Sequence, residues 1–209
     1  MRYVPIYCLR EGMRLGRNIY SSDGVTLLTK DVRLTDEYIK SLEKLGVNGV
    51  YIEDTVSYDI AIKSVISDEL RVQAVKSIKG IYNDPSNVSN SITTVENLAK
   101  SIIYEILNNK NIMVNMVDIK TFDDYMYSHS VNVAVLSSVI GMAMHLDSTK
   151  IEKLTASALL HDIGKVFMPK DIVNKVEKLT KEEEKLYKSH PEKGYRYIKQ
   201  HYTVPVTTY

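Results

Sequence analysis

The feature that most restricts how this chain can fold is a pair of neighbouring polar residues at the end of an apolar run. The segment "STKIEKLTASALLHDIGK", residues 148–165, repeats Ile151, Leu154 and Ala158 at helical spacing, and His161 continues that face. Asp162 follows at once. An ionised carboxylate arriving where a helix buries its apolar side is costly unless it is paired or bound to a metal. Just upstream, "YMYSHSVNVAVLSSVIGMAM", residues 125–144, is the most apolar helical pattern of the chain, with His129 heading a stripe through Val133, Leu136 and Ile140.

Chemistry supplies one reason for this combination. Neutral imidazole suits Mn, Fe, Zn and related ions, and a carboxylate can bridge two of them. Water held by such ions reaches neutral-pH nucleophilicity toward phosphorus. Lys165, three residues after Asp162, can aim its ammonium at a phosphate oxygen in the same pocket. His190 opens "HPEKG", where Pro191 suits the first turn of a helix and Gly194 permits close backbone approach. Each residue also has a plain alternative: a packed core histidine at His129, a His–Asp ion pair at 161–162, a solvated lysine at 165, and a helix-terminal surface histidine at 190. His145 reads as a helix-end residue favoured by the dipole, and His201 carries no assignment.

The chain changes character along its length. Residues 1–55 contain short β-prone runs broken by Gly12, Gly16 and the Ser22–Gly24 turn. A helix follows, with Thr35 as N-cap, Gly46 as stop, and Tyr38, Ile39, Leu42 and Leu45 as its apolar positions; "VNGVYIED" then reads as a closing strand. This is a small α+β module. From 56 to 112 the pattern is helical: one helix ends at the loop "NDPSNVSNS", and the next opens on a capping-box spacing, Thr93 to Glu96, with Leu98, Ile102, Ile106 and Leu107 on one side. These connecting helices are a candidate dimer surface. Thr180 and Glu183 repeat the capping-box spacing within the last region, 113–209. The expected fold is mainly α, a helical bundle preceded by the α+β module.

Composition excludes some functions. With 27 basic and 26 acidic residues the net charge is +1, which gives no case for a polymeric nucleic acid partner. The N-terminus lacks a sustained apolar stretch, and no run reaches the ~20 residues that span a bilayer. Cys8 is the single cysteine, in keeping with a reducing compartment. A cytoplasmic protein without membrane association is expected.

His129, "HDIGK" at 161–165 and "HPEKG" at 190–194, in this order and on helical patterns, resemble the HD superfamily of metal-dependent phosphohydrolases. The finer resemblance is to its HD-GYP branch, bacterial cyclic di-GMP phosphodiesterases of second-messenger signalling. It extends over residues 113–209, and residues 1–55 resemble the α+β module that precedes such domains. The resemblance implies an HD-type helical bundle and two divalent metal ions, Mn or Fe before Zn. It makes His129, His161, Asp162 and His190 the ligands, with Asp162 bridging and catalytic, and Lys165 the residue that contacts substrate phosphate. Some members hold a third metal through a carboxylate one turn before the first histidine. Here Tyr125 stands four before His129 and Asp124 lies on another face, so the resemblance implies a two-metal site.

Members of that branch continue with adjacent histidines, the Gly-Tyr-Pro segment and a late aspartate, and none of these occurs before Tyr209. The resemblance therefore implies a bundle incomplete at its C-terminus, with apolar surface left open between Val133 and Met144, and it weighs against stand-alone turnover. The expected substrate is a cyclic dinucleotide, opened to the linear dinucleotide or to GMP. Two alternatives stay open: a non-catalytic regulatory or interaction module with a homodimeric or signalling-protein partner, and an HD phosphohydrolase acting on another nucleotide.

Overall fold

The computed structural model describes residues 1–21, 24–57, 64–86, 88–109, 125–175 and 177–201. The chain divides into two compact units, one of Met1–Lys76 with Glu105–His129 and one of Ser77–Tyr104 with Ser130–Tyr209.

The first unit contains the α+β module. Strands β1 (Arg2–Pro5), β2 (Arg14–Leu15) and β5 (Gly49–Glu53) form an antiparallel sheet in the order β1-β5-β2, and β3 (Ile19–Tyr20) pairs with β4 (Thr26–Leu28) through a bulge. The expected closing strand is thus the central one. Its buried Val50, Tyr51 and Ile52 are flanked on both sides, with Arg2 opposite Ile52 and Pro5 opposite Gly49. Val4, Leu9, Leu15, Ile19, Leu34, Leu42, Val47, Val50 and Ile52 form the core.

Helix α1 (Asp36–Lys44) packs there through Leu42 and Ile39, whereas Tyr38 and Leu45 stay largely exposed. Its ends follow the sequence reading. The Thr35 hydroxyl accepts the Tyr38 N–H at 3.3 Å, and Gly46 takes φ +74° just past the C-cap. Of the expected Ser22–Gly24 turn, only Gly24 lies among the described residues.

Helix α2 (Asp68–Asn83) opens where the Ser67 hydroxyl accepts the Leu70 N–H. The Glu105 carboxylate in turn accepts from the Ser67 N–H and hydroxyl. Helix α3 (Val88–Asn108) begins earlier than the sequence suggested. The break after α2 is a tight Asp84–Ser86 turn, in which an Asp84 carboxylate oxygen accepts the Ser86 N–H. Thr93 and Glu96 consequently lie inside the helix and cap nothing. Leu98, Ile102 and Ile106 are buried as expected, but Leu107 is 68% exposed. One residue of α-helix turns the side chain by about 100°, which carries it off the face of Ile106.

Helix α4 (Tyr125–Ala143), whose residues from Ser130 on belong to the second unit, packs with α5 (Ser148–Leu160) on a face that differs from the expected stripe. Buried positions are Val131, Ala134, Val135 and Ser138, while Ile140 is 56% exposed. Small side chains decide this. The Ser138 and Thr155 hydroxyls meet at 2.7 Å, and a Cβ on Gly141 would come within 3.2 Å of Leu154. An apolar-all-round helix turns its narrowest seam toward its neighbour, leaving Ile140 and Met144 outward. On α5, Ile151 and Ala158 are buried and Leu154 is only partly covered. A 3-10 turn over Ile163–Phe167 follows, then α6 (Lys170–Val173), α7 (Lys181–Tyr187) and α8 (His190–His201). The Thr180–Glu183 capping box forms at the start of α7, and the Glu183 carboxylate also accepts both contacts from the Lys175 ammonium, each at 2.7 Å. No described helix is long and apolar enough to cross a membrane.

Candidate metal centre

The site is built where α5 ends. His161 is the C-cap of α5, and Asp162 opens the 3-10 turn, its carbonyl accepting the Lys165 N–H at 2.9 Å. Three-residue spacing on that tight turn folds the Lys165 side chain back onto its own origin. The ammonium donates to Asp162 Oδ2 at 2.6 Å, with Asp162 only 3% exposed. The turn rests against the first turn of α8, which carries His190, and glycines make this approach possible. A Cβ on Gly164 would sit 1.8 Å from the His190 carbonyl oxygen, and Gly194 packs on Gly164 from the other side.

All four sequence-derived ligand candidates gather around one carboxylate. One donor atom each from His129 on α4, His161 and Asp162 lie within 4.8 Å of one another. His161 Nε2 is 3.4 Å from Asp162 Oδ2, and His190 Nε2 is 3.2 Å from Oδ1. The two imidazoles therefore address different oxygens of the same group. Both are fixed from behind: His161 Nδ1 donates to the Ala158 carbonyl at 2.8 Å and His190 Nδ1 to the Tyr187 carbonyl at 2.7 Å. A carbonyl only accepts, so the proton of each neutral ring is on Nδ1 and the Nε2 lone pair faces carboxylate oxygen. A proton or a cation relieves such a pairing of acceptors, and the Lys165 ammonium already stands on Oδ2. Two histidine nitrogens and two carboxylate oxygens with orienting hydrogen bonds behind them are the donor set a divalent transition metal takes, so the residues fit such an ion.

Burial alone would depress the Lys165 ammonium. Hydrogen bonds to Asp162 and to the Tyr187 side chain, together with the Asp162 charge, outweigh it and hold the lysine above its usual value. Lys165 is thus a fixed cation at neutral pH.

His145 lies apart, exposed at the end of α4 with φ +57°. Asp124 and the side chains of Tyr125 and His201 lie outside the described residues. Sequence reasoning missed Tyr187, the last residue of α7, whose only signal was its position three residues before His190.

Against known proteins, the HD domain family matches residues 79–206, and the chain belongs to that family. It is 36% identical over 101 residues to cyclic di-GMP phosphodiesterase PA4108 of Pseudomonas aeruginosa, covering 48% of this chain and 24% of the relative. It is 41% identical over 73 residues to cyclic di-GMP phosphodiesterase PdeB of Borreliella burgdorferi, covering 35% of this chain and 19% of the relative. The chain thus spans a quarter or less of the curated relatives it matches. The fold is similar to that of Bd1817, a HDG"Y"P protein from Bdellovibrio bacteriovorus, with a TM-score of 0.56 and 19% identity over 99% of this chain and 74% of the other. Within the family, these similarities support the HD-GYP branch.

Proposed function

We propose that the chain carries the metal centre of a cyclic di-GMP phosphodiesterase of the HD-GYP type, acting in the cytoplasm. In this reading His129, His161, Asp162 and His190 would hold two divalent ions, Mn or Fe in preference to Zn. Such ions supply Lewis-acid polarisation of a phosphodiester and water of lowered pKa. The residues of the chain supply the rest. The Ala158 and Tyr187 carbonyls hold both Nε2 lone pairs inward, Asp162 offers one oxygen to each side, and Lys165 adds a fixed positive charge for a phosphate oxygen. Residues 1–55 serve as a sensor or docking module.

The observation that carries this reading is the pair of tautomer-fixed imidazoles facing opposite oxygens of one buried carboxylate. Calorimetric titration with Mn²⁺, paired with chromatographic analysis of cyclic di-GMP after incubation, tests it. Saturable Mn²⁺ binding that is lost in Asp162→Ala, with conversion to linear dinucleotide or GMP, is the expected result. Binding unchanged in Asp162→Ala overturns the metal assignment. Mn²⁺ binding without turnover of cyclic di-GMP or any nucleotide in a substrate panel favours the regulatory module instead, and turnover of a different nucleotide corrects the substrate.

A further inference from the structure

Tyr187 touches two of the residues assigned to the centre, by three separate means. Its backbone carbonyl accepts from His190 Nδ1 at 2.7 Å. Its ring stands edge-on to the His190 imidazole, with centroids 5.4 Å apart and planes at 64°. Its ring lies beside the Lys165 ammonium, whose nitrogen is 5.4 Å from the ring centroid. We propose that Tyr187 is a positioning residue that sets both the His190 imidazole and the Lys165 ammonium; this rests on the metal-centre reading above.

His190 is on the first turn of α8, where its ring is free to swing about two side-chain torsions. The carbonyl contact fixes the tautomer, and the tyrosine ring blocks one side of the imidazole, so Nε2 is held toward Asp162 Oδ1 at 3.2 Å. Lys165 has four side-chain torsions and reaches Asp162 from only three residues away. The ammonium rests on Asp162 Oδ2 at 2.6 Å, and the Tyr187 ring packs beside it, which limits the other directions the side chain can take. Helix α7 is well placed to serve as the anchor. Although it is a seven-residue helix, its start is locked by the Thr180–Glu183 box and by Lys175, so its last residue is held from the far end.

Two substitutions test the ring against the hydroxyl. Tyr187→Phe keeps the ring and the carbonyl but removes the hydroxyl; Tyr187→Leu removes the ring as well. In Mn²⁺ calorimetry, Tyr187→Phe is expected within about twofold of the parent and Tyr187→Leu about tenfold weaker, the scale seen for residues that orient metal-binding histidines. In hydrolysis of bis(p-nitrophenyl) phosphate, Tyr187→Leu is expected to raise KM about threefold, because it removes the ring beside the Lys165 ammonium, whereas Tyr187→Phe keeps the ring and a KM near the parent's. A general loss of folding would move metal affinity, KM and kcat together and would appear in the circular dichroism spectrum. Parent-like Mn²⁺ affinity and parent-like KM in Tyr187→Leu overturn the inference while leaving the metal-centre reading intact. If the parent binds Mn²⁺ but hydrolyses nothing, the enzymatic reading fails, and the difference between Phe and Leu in metal affinity still decides the role of Tyr187. A parent that binds no Mn²⁺ removes both.

Discussion

The core of the α+β module and the surroundings of Asp162 are both tightly closed to water, but with opposite chemistry. The module buries Leu15, Leu34, Leu42, Val50 and Ile52 with no charged group among them. Around Asp162 the buried residues include a carboxylate, and the closest packing is at Gly164, against the His190 carbonyl and Gly194. The first arrangement gains from area removed from water. The second gives up apolar area to bring charged and lone-pair-bearing atoms within 3.4 Å of one another. A region that stabilises itself and a region that must be held in place by its neighbours should respond differently to substitution.

The sharpest way to break this contrast is to damage each region by its own logic. Ile52, 1% exposed on the central strand, should cost roughly 3–4 kcal/mol when replaced by Ala, the range for large-to-small core changes. Urea unfolding followed by circular dichroism reads this, and a loss under about 1 kcal/mol would show the core collapsing to fill the space. Gly164→Ala removes no apolar contact at all, yet its methyl would meet the His190 carbonyl at 1.8 Å. The turn and α8 must part, at about 3 kcal/mol. Mn²⁺ affinity should fall as well, because Asp162 and His190 ride on the two sides of that contact. Gly80→Ala is the control: the site is exposed in the interior of α2 with nothing within 4 Å of the added methyl, so it should gain about 0.5–1 kcal/mol.

These two regions were also unequally legible in the sequence. The module announced itself through local signals, since Thr35 and Gly46 mark both ends of α1 by rules that need no tertiary context. The candidate ligands were legible by motif and spacing. What the motif could not supply was support: the Ala158 and Tyr187 carbonyls, and the Tyr187 side chain, are brought in by turn geometry rather than by residue type. Helix α4 misled for a different reason. Its pattern is apolar on every side, so periodicity had no preferred direction, and the Ser138–Thr155 and Gly141–Leu154 approaches chose the face. Thr93 and Glu96 showed that a capping-box spacing inside a helix looks the same as one at its start.

Smaller effects are expected at the helix ends. His145 closes α4 in the left-handed region, its N–H donating to the Met142 carbonyl and that of Leu146 to the Gly141 carbonyl. This paired closure normally takes glycine, and a side chain there costs about 1 kcal/mol. His145→Gly should therefore raise stability by roughly 0.5–1 kcal/mol in urea unfolding. A loss instead would mean that the imidazole makes a compensating contact with the helix end, as the sequence reading supposed.

The smallest expected effect is the most specific, because it titrates. The Lys175 hydrogen bond, followed by the Thr180 backbone N–H, holds the Glu183 carboxyl below its ordinary value. A group whose folded pKa is depressed stabilises the fold above its unfolded value, 4.5 here, and that contribution disappears as pH falls through the folded value. Urea midpoints measured from pH 6 down to pH 3 should decline for the parent. Glu183→Gln should flatten part of that decline: the amide still accepts the Thr180 N–H, as glutamine does in such boxes, but it has no charge to lose. Lys175→Ala should flatten it too, by removing the largest cause of the shift. An unchanged slope in both variants would mean that α7 is anchored by packing rather than by its box, and the hold on Tyr187 would then have to come from the Lys165 and His190 side of the centre.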